Sequence, residues 1–345
     1  MTVAVAAHQP KPAATRIPAL GLALGVALDV LVGDPRRAHP VAAFGTVAGA
    51  LERRMYADSR PRGAAYAAVC VGATAALGVA ADRLTRRRPV ARTAVTAAAT
   101  WAVLGGTTLR REARAIAAPL TAGDLAAARE RLPYLVGRDP SALDEAGIAR
   151  AVVESVAENT SDAVVAPLFW AAVAGLPGLL AYRAVNTLDA MVGHRTPRHT
   201  NFGWASARLD DAANWIPARA TGLLTVAAAP LTGGSPREAW RVLRRDGGAH
   251  PSPNSGRCEA SAAGALGVRL GGRNVYAGRT EDRPALGDGR PPVPADVERA
   301  NRLSAAVGLA AAAVTTAWLA IPRTPRPSPR LPRTPSPRPP KAGPA

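Results

Sequence analysis

The fold is decided by residues 153–217, which read VESVAENTSDAVVAPLFWAAVAGLPGLLAYRAVNTLDAMVGHRTPRHTNFGWASARLDDAANWIP. An apolar block, Ala163–Tyr182, lies at the centre of this stretch, and carboxylates, amides and arginines flank it on both sides. Polar groups beside apolar segments that Gly and Pro interrupt are typical of a functional site at a membrane surface. The sequence therefore predicts a polar site where helices meet a membrane.

Further apolar runs on both sides extend this pattern to an all-α, polytopic membrane bundle. They are Ile17–Val32, Ala64–Ala81, Val90–Leu109, Ile216–Leu231 and Leu303–Ile321. Several approach the roughly 20 residues that a spanning helix needs. We interpret Ala64–Ala81 and Val90–Leu109 as a helical hairpin. Residues 110–150, where charges alternate with Ala and Leu at helical spacing, are predicted to form amphipathic helices outside the membrane.

Two of the apolar runs are poor candidates for spanning helices. Pro and Gly interrupt Ala163–Tyr182, and Ile216–Leu231 contains Pro217 and Arg219. If every run crossed the bilayer, the polar clusters would be divided between its two faces, and one site could not be built from them. We therefore interpret both runs as re-entrant or partial insertions, with all polar clusters on one face. The arginine distribution favours the cytoplasmic face.

The domain limits follow from composition. Residues 1–16 are rich in Ala and Pro and are predicted to form a flexible leader. Residues 17–321 form the membrane-embedded domain. Residues 322–345 contain Pro, Arg and Ser in place of core-forming side chains, which predicts a disordered tail.

The formal net charge is +18, and Lys11 and Lys341 are the only lysines. Such a charge suits a nucleic acid, an anionic membrane surface or a polyphosphate substrate. Aromatic residues make up only 4% of the chain, so few side chains are available to stack on bases, and no nucleic-acid-binding motif is present. Cys70 and Cys258 lie far apart, which argues against a disulfide framework or a cysteine metal site. Composition favours membrane and phosphate partners.

The polar clusters contain the groups that phosphate chemistry needs. Oxygen atoms of Asp, Glu and Asn bind magnesium-bound phosphates. Guanidinium groups match phosphate bidentately, and histidine titrates near neutral pH and can carry protons. The arginines are Arg195, Arg198, Arg208 and Arg257, and the histidines are His39, His194, His199 and His250. The alternative for any one residue is a helix cap or a surface ion pair, so it is their clustering that favours a site.

Five motifs occur in order along the chain. They are LDVLVGDPRRAHPV (residues 28–41), ESVAENTSDAVVAPLFW (154–170), RAVNTLDAMVGHR (183–195), FGWASARLDDAANWIPAR (202–219) and HPSPNSGRCEASAAGALGVRLGG (250–272). In these motifs the chain resembles the CobD/CbiB family of membrane proteins of cobalamin biosynthesis, the adenosylcobinamide-phosphate synthases. Two residues depart from the family pattern: Ala163 stands where glycine is usual, and His194 where tyrosine is usual.

The resemblance implies an ATP-dependent amide synthase in the cell membrane. Such an enzyme joins the propionate carboxyl of adenosylcobyric acid to (R)-1-amino-2-propanol or its phosphate, with ATP and Mg²⁺. A carboxylate is a poor acyl donor, so the simplest route is an acyl phosphate that the amine then attacks. The expected partners are these substrates, membrane lipid and other membrane enzymes of the cobalamin pathway, but no nucleic acid.

On this chemistry we assign roles to selected polar residues of the motifs. The predicted metal ligands are Glu158, Asn159, Asp162, Asp189 and Asp210. The predicted nucleotide-binding residues are Asn186, Arg195, Arg208 and Arg257. The residues predicted to complete the catalytic wall or to act as the base are Asp34, His39, His250 and Asn254.

Two other classes of function fit a polytopic membrane protein. One is a sensor or signalling protein without ligase activity, similar to a relative of this family that is associated with β-lactamase regulation. A pure sensor has no need of the intact polar motifs. The other is a transporter, for which an ionisable residue in mid-helix is expected, whereas Asp29 and Arg219 lie near the ends of their runs. The motifs favour the enzyme.

Overall fold

The computed structural model describes residues 13–34, 39–194, 196–276 and 279–321. The predicted tail, most of the predicted leader and Arg195 lie outside the described residues. The first helix begins at Ala13 rather than at Ile17. The helices are α1 (Ala13–Val32), α2 (Pro40–Met55), α3 (Arg60–Thr85), α4 (Pro89–Val103), α5 (Gly106–Thr121), α6 (Leu125–Arg131), α7 (Glu145–Thr160), α8 (Ala166–Leu188), α9 (Trp204–Ala213), α10 (Trp215–Ala228), α11 (Pro236–Asp246), α12 (Ser255–Leu266) and α13 (Pro294–Ala320).

The described chain is the predicted all-α membrane bundle. Three helical segments are long and apolar enough to cross a membrane: Arg60–Thr85, Glu145–Gly193 and Pro294–Ala320. The outer sides of α3 and α13 carry exposed large apolar side chains, among them Leu77 and Leu309. Exposed leucines on a long apolar helix are expected to face lipid, because they gain nothing from water.

The long segment Glu145–Gly193 is not one straight rod. It contains two π turns, Ser161–Val165 and Asp189–Gly193, and its backbone leaves the helical region at Gly175, with φ 64° and ψ −149°. The Tyr182 hydroxyl lies 3.1 Å from the carbonyl oxygen of Asp162. In a straight α-helix, residues this far apart would be separated by about 30 Å. The chain therefore reverses direction near Gly175.

The reversal makes α8 a re-entrant hairpin, as the sequence predicts. At 1.5 Å per residue, the arm from Ala166 to Gly175 is about 14 Å long and the arm from Gly175 to Leu188 is about 20 Å long, whereas the hydrocarbon core is about 30 Å thick. α10 has 14 residues and is also shorter than a spanning helix. The polar ends of both segments therefore stay on one side of the bundle.

In the predicted hairpin of Ala64–Ala81 with Val90–Leu109, the second helix is shorter than predicted and ends at Val103. The second run breaks between α4 and α5, where Leu104 is extended and the Gly105 N–H donates to the carbonyl oxygen of Ala163, 3.2 Å away. A π turn leaves carbonyl groups without their usual helical partner, and the break supplies a donor. α4 then packs mainly on α1, and α3 packs mainly on α8.

The buried apolar side chains form separate clusters on each side of the re-entrant hairpin. One lies among α5, α6, α7, α11, α12 and α13, where Ile116, Ile148 and Leu266 are buried. Another lies between α1, α4, α8 and α13. A third centres on Tyr66 and Phe202, whose ring centroids are 5.2 Å apart. The hairpin is thus held between packed layers.

A β-hairpin lies between α12 and α13, although the all-α prediction contained no strand. Strand β1 (Leu270–Tyr276) pairs antiparallel with β2 (Arg279–Leu286). An isolated two-stranded hairpin is marginally stable. Here it is anchored by the buried Glu154, whose carboxylate accepts a hydrogen bond from the Gly271 N–H (2.7 Å) and pairs with Arg138 (2.6 Å).

We expect Gly175→Ala to lower the free energy of unfolding by about 1–3 kcal/mol, because only glycine adopts this backbone conformation without strain. No side-chain clash contributes, since a Cβ there would meet nothing closer than Pro177 at 3.9 Å. The control is Gly72→Ala in α3, where a Cβ meets no atom within 4 Å and the backbone is helical. The melting temperatures of the two variants are measured by thermal unfolding in detergent. Equal melting temperatures would contradict strain at the reversal.

Candidate active site

A cavity of about 200 Å³ opens where the first π turn meets α7, α9, α10 and α12. Its polar lining is strongly acidic. The lining residues with polar side chains are Glu158, Asp162, Asp189, Asp210, Asp211, Asn214, Ser252, Asn254, Ser255 and Cys258. No arginine or lysine of the described residues is among them. The cavity is therefore suited to a cation or to a ligand that carries one.

The helical reversal and the two π turns bring the carboxylates together. Glu158 and Asp162 are one turn apart and share a helix face. Asp162 lies in the first π turn and Asp189 begins the second. π turns inside α-helices are frequent at functional sites, because the extra residue re-aims the side chains around it. Asp210 lies on α9, which crosses the open end of the hairpin.

Asn186 links two of these carboxylates. Its amide nitrogen donates to Asp162 (3.4 Å) and to Asp210 (3.5 Å), and its amide oxygen accepts from the Arg183 guanidinium (3.3 Å). Carboxylates only accept hydrogen bonds and a guanidinium only donates them, so this orientation of the amide is the one that satisfies both sides. The amide holds two like charges near each other.

A second amide supports the same group from the opposite side. The Asn214 amide nitrogen donates to Asp210 (3.0 Å), and its amide oxygen accepts from the Tyr182 hydroxyl (2.8 Å). Asn214 and Tyr182 are both buried. The geometry of Asp210 is thus fixed by α8 and by the start of α10.

The remaining wall comes from the turn before α12. The Ser255 hydroxyl donates to Glu158 at 2.5 Å, a short charge-assisted hydrogen bond. The Asn254 amide nitrogen donates to the backbone oxygen of Asp211 (2.8 Å), while its amide oxygen is buried without a hydrogen-bond partner. That oxygen is an acceptor available to a ligand.

Burial and mutual repulsion perturb the acidic groups. Burial first, and then the nearby charge of Asp189, raise the pKa of Asp210 to about 7, against the opposing hydrogen bonds from Asn214 and Asn186. A carboxyl that titrates near neutral pH gains its charge readily when a cation arrives. The cavity is therefore a site where cation binding and proton release are coupled.

The structure brings together four of the five predicted metal ligands, Glu158, Asp162, Asp189 and Asp210. The fifth, Asn159, is directed elsewhere, because its amide nitrogen donates to the Ser155 backbone and hydroxyl oxygens. Among the described residues, no group of three or more His, Cys, Asp or Glu side chains is arranged so that it could hold a metal ion. Mg²⁺ is usually held by one or two carboxylates together with substrate phosphates, so the donor set suits it.

The predicted nucleotide-binding residues are dispersed. Asn186 does not line the cavity, but its side chain donates to Asp162 and Asp210, which do. Arg208 is exposed and donates to Asp211 (3.3 Å) at the cavity rim. Arg257 points away from the cavity towards Gly248. Arg195 lies outside the part of the chain that the structure describes.

Of the predicted catalytic residues, only Asn254 lines the cavity. His250 is buried beside Glu259, with its Nε2 3.9 Å from that carboxylate, and its Nδ1 accepts from the Ser252 N–H (3.0 Å). Burial lowers the pKa of His250. Asp34 and His39 lie 4.0 Å apart at the end of α1, on the other side of the first π turn. These three residues therefore do not reach into the cavity.

Several site residues were missed by the sequence analysis, among them Tyr182, Arg183, Asn214 and Ser255. Tyr182 was counted as the last residue of the apolar block. Arg183, which follows it, was given no role. Spacing along α8 offered a signal, because Arg183 precedes Asn186 by almost one turn. Asn214 and Ser255 occur in the quoted motifs, but nothing local shows that they face inwards.

The fold and cavity define a class of protein: a helical membrane protein with an acidic, amide-supported site at the open end of a re-entrant hairpin. A family model described as CobD/Cbib protein matches residues 22–304. The chain is 54% identical over 308 residues to Cobalamin biosynthesis protein CobD of Mycobacterium tuberculosis, covering 89% of this chain and 97% of the relative.

Two more distant relatives carry the same name. The protein of Geobacter metallireducens is 49% identical over 79% of this chain and 88% of its own length. That of Rhodobacter capsulatus is 41% identical over 86% of this chain and 97% of its own length. No solved structure matches. The chain belongs to the CobD/CbiB family of cobalamin-biosynthesis proteins.

We expect the free energy of unfolding to fall as pH rises from about 4 to about 7, the interval between the ordinary pKa of Asp and that of Asp210. A carboxyl with a raised pKa binds more protons in the folded chain, so deprotonation favours unfolding, by at most about 1.4 kcal/mol per pH unit for one group. Asp210→Asn should flatten this dependence. The exposed Asp282→Asn is the control.

Denaturant unfolding in detergent across that pH interval, without divalent cations, measures both variants. If Asp210→Asn and Asp282→Asn follow the wild-type curve equally, Asp210 does not titrate in this range.

Proposed function

We propose that the protein is an ATP-dependent amide synthase of cobalamin biosynthesis. It joins the propionate carboxyl of adenosylcobyric acid to (R)-1-amino-2-propanol phosphate, and the product is adenosylcobinamide phosphate. The observation that carries this proposal is the convergence of Glu158, Asp162, Asp189 and Asp210 in one cavity of a CobD/CbiB family member. Such a set of hard oxygen donors suits a magnesium–nucleotide complex.

One or two of the carboxylates Glu158, Asp162, Asp189 and Asp210 would hold Mg²⁺ together with the phosphates of the nucleotide. When bound, the ion supplies positive charge that neutralises the phosphates during phosphoryl transfer. The chain's own contribution is to fix these oxygens: Asn186 and Asn214 orient Asp210, and Ser255 orients Glu158. Fixed donors cost no reorganisation at the moment of reaction.

The proposed chemistry balances in two steps. A carboxylate oxygen of the corrinoid forms a bond to the γ-phosphorus of ATP as the bond to ADP breaks, which gives an acyl phosphate. The amine nitrogen then forms a C–N bond as the acyl C–O bond breaks, and phosphate leaves with the electron pair. The substrate ammonium loses one proton before attack and a second as the amide forms. A base near the amine is therefore required.

The size of the cavity limits what it can hold. A volume of about 200 Å³ accommodates a polyphosphate chain and a cation but is far smaller than a corrin ring. The macrocycle would remain outside, and only its propionate arm would enter. We propose a multi-pass arrangement in the cell membrane with the cavity on the cytoplasmic side, where ATP is available.

The primary test is an assay of the purified, detergent-solubilised chain with adenosylcobyric acid, aminopropanol phosphate, ATP and Mg²⁺. We expect stoichiometric ADP, phosphate and a new corrinoid amide, all lost without Mg²⁺. If the chain binds neither corrinoid nor nucleotide, the proposal fails and a sensor without ligase activity becomes the better explanation.

We expect Glu158→Gln and Asp162→Asn each to lower kcat at least tenfold, which corresponds to about 1.4 kcal/mol of transition-state stabilisation. Each change keeps the shape of the side chain and removes its charge. Glu145→Gln is the matched control, because Glu145 is exposed in the first turn of the same helix. Turnover within about twofold of wild type in both site variants would contradict the metal-binding assignment.

A further inference from the structure

Behind the acidic cavity lies a second polar cluster, which the proposed reaction has not yet used. It consists of Asp34, His39 and Arg183, and it is separated from the cavity by Asp162 and Asn186. The Arg183 guanidinium interacts electrostatically with Asp34 on one side and with Asp162 on the other. The cluster thus places one cation and one carboxylate beside the acidic site.

Arg183 has more N–H donors than it uses in hydrogen bonds with the described residues. A guanidinium has five N–H donors. In the described part of the chain Arg183 uses one of them, to Asn186 (3.3 Å), and its Nε is buried without a partner. It forms no direct ion pair with a described carboxylate. A half-buried guanidinium whose buried Nε has no partner is completed by an anion that accepts from it.

Asp34 is held close to the same place. The Trp101 indole donates to the Gly33 carbonyl oxygen (2.7 Å), which fixes the end of α1. A Cβ built on Gly105 would lie 3.9 Å from the Asp34 carboxylate, and the Gly105 N–H donates to Ala163 in the first π turn. The Oδ1 of Asp34 is buried without a hydrogen-bond partner. This oxygen can therefore accept from a cationic ligand.

We propose that Asp34 and Arg183 form a second subsite, which binds the zwitterionic amino alcohol phosphate. Arg183 binds the phosphate and Asp34 binds the ammonium. A guanidinium matches phosphate oxygens bidentately, and a carboxylate matches an ammonium. The identity of the ligand rests on the proposed function, because the reaction needs an amine beside the nucleotide. The two subsites share the wall formed by Asp162 and Asn186.

The subsite also supplies the base. Asp34 accepts one proton from the bound ammonium, and His39, whose ring lies 4.0 Å from Asp34, is placed to pass that proton outwards. The subsite therefore favours the phosphorylated amine, since the unphosphorylated amino alcohol leaves Arg183 without an anion.

The test compares wild type with Arg183→Gln, Arg183→Lys and Asp34→Asn. We expect Arg183→Gln to raise KM for aminopropanol phosphate on the order of ten- to hundredfold, as for loss of a charge-assisted hydrogen bond. KM for ATP and for unphosphorylated aminopropanol should stay within about twofold. Arg183→Lys keeps the positive charge, so it should raise the KM for aminopropanol phosphate by a smaller factor. Asp34→Asn should raise the KM for both the phosphorylated and the unphosphorylated amine.

A binding measurement separates this proposal from the proposed function. Thermal stabilisation by aminopropanol phosphate alone, without ATP or corrinoid, should occur in wild type and be lost in Arg183→Gln. The control is Arg129→Gln, a half-buried arginine whose hydrogen bonds go to the Leu143 carbonyl oxygen. If wild type makes no amide but this binding depends on Arg183, the ligase fails and the subsite stands.

Two results would overturn the subsite. One is amide synthesis in which Arg183→Gln and Arg183→Lys leave KM for the phosphorylated amine unchanged. The other is an equal rise in KM for ATP, which would make Arg183 a support for the cavity and no binder of the amine. If Arg183→Gln does not fold, the comparison of Arg183→Lys with wild type decides between these results.

Discussion

The structure depends on the reversal of the chain at Gly175. It returns Tyr182 to Asp162 and thereby closes a hairpin within a segment that is long and apolar enough to cross a membrane. Without the reversal, Asp162 and Asp189 would lie at opposite ends of a rod. With it, several carboxylates share one small volume, where like charges repel strongly. The amides of Asn186 and Asn214 make this tolerable, because each donates to a carboxylate and is itself held by a neighbouring donor.

Much of this arrangement could be predicted from sequence because its signals are local. Gly175 and Pro177 interrupt an apolar run, which marks a broken helix whatever surrounds it. The requirement that one site lie on one side of a membrane then places the polar clusters together. Glu158 and Asp162 could be paired by helical spacing alone. The prediction that the run Ala163–Tyr182 is re-entrant is confirmed, while the roles of the site residues and the identity of the cation stay predictions.

The remaining features depend on contacts that no local pattern encodes. Asn159 follows Glu158 directly, but neighbours on an α-helix point about 100° apart, so both cannot face the cavity. The same rotation turns Arg257 away while Cys258 faces inwards. The β-hairpin has little strand signal and is held in place by Glu154, a residue distant in sequence. The break before Gly105 arises because a distant π turn needs a donor.

The two π turns also limit how this chain can change in length. Each accommodates one residue more than a regular α-helical turn would. Deleting a residue in Ser161–Val165 would restore a regular helix and rotate everything that follows by about 100°. Asp162 would then leave the wall that it shares with Asn186. A substitution in these turns alters one side chain, whereas a single-codon insertion or deletion re-aims the whole site, so a change of length here is more damaging than a change of residue.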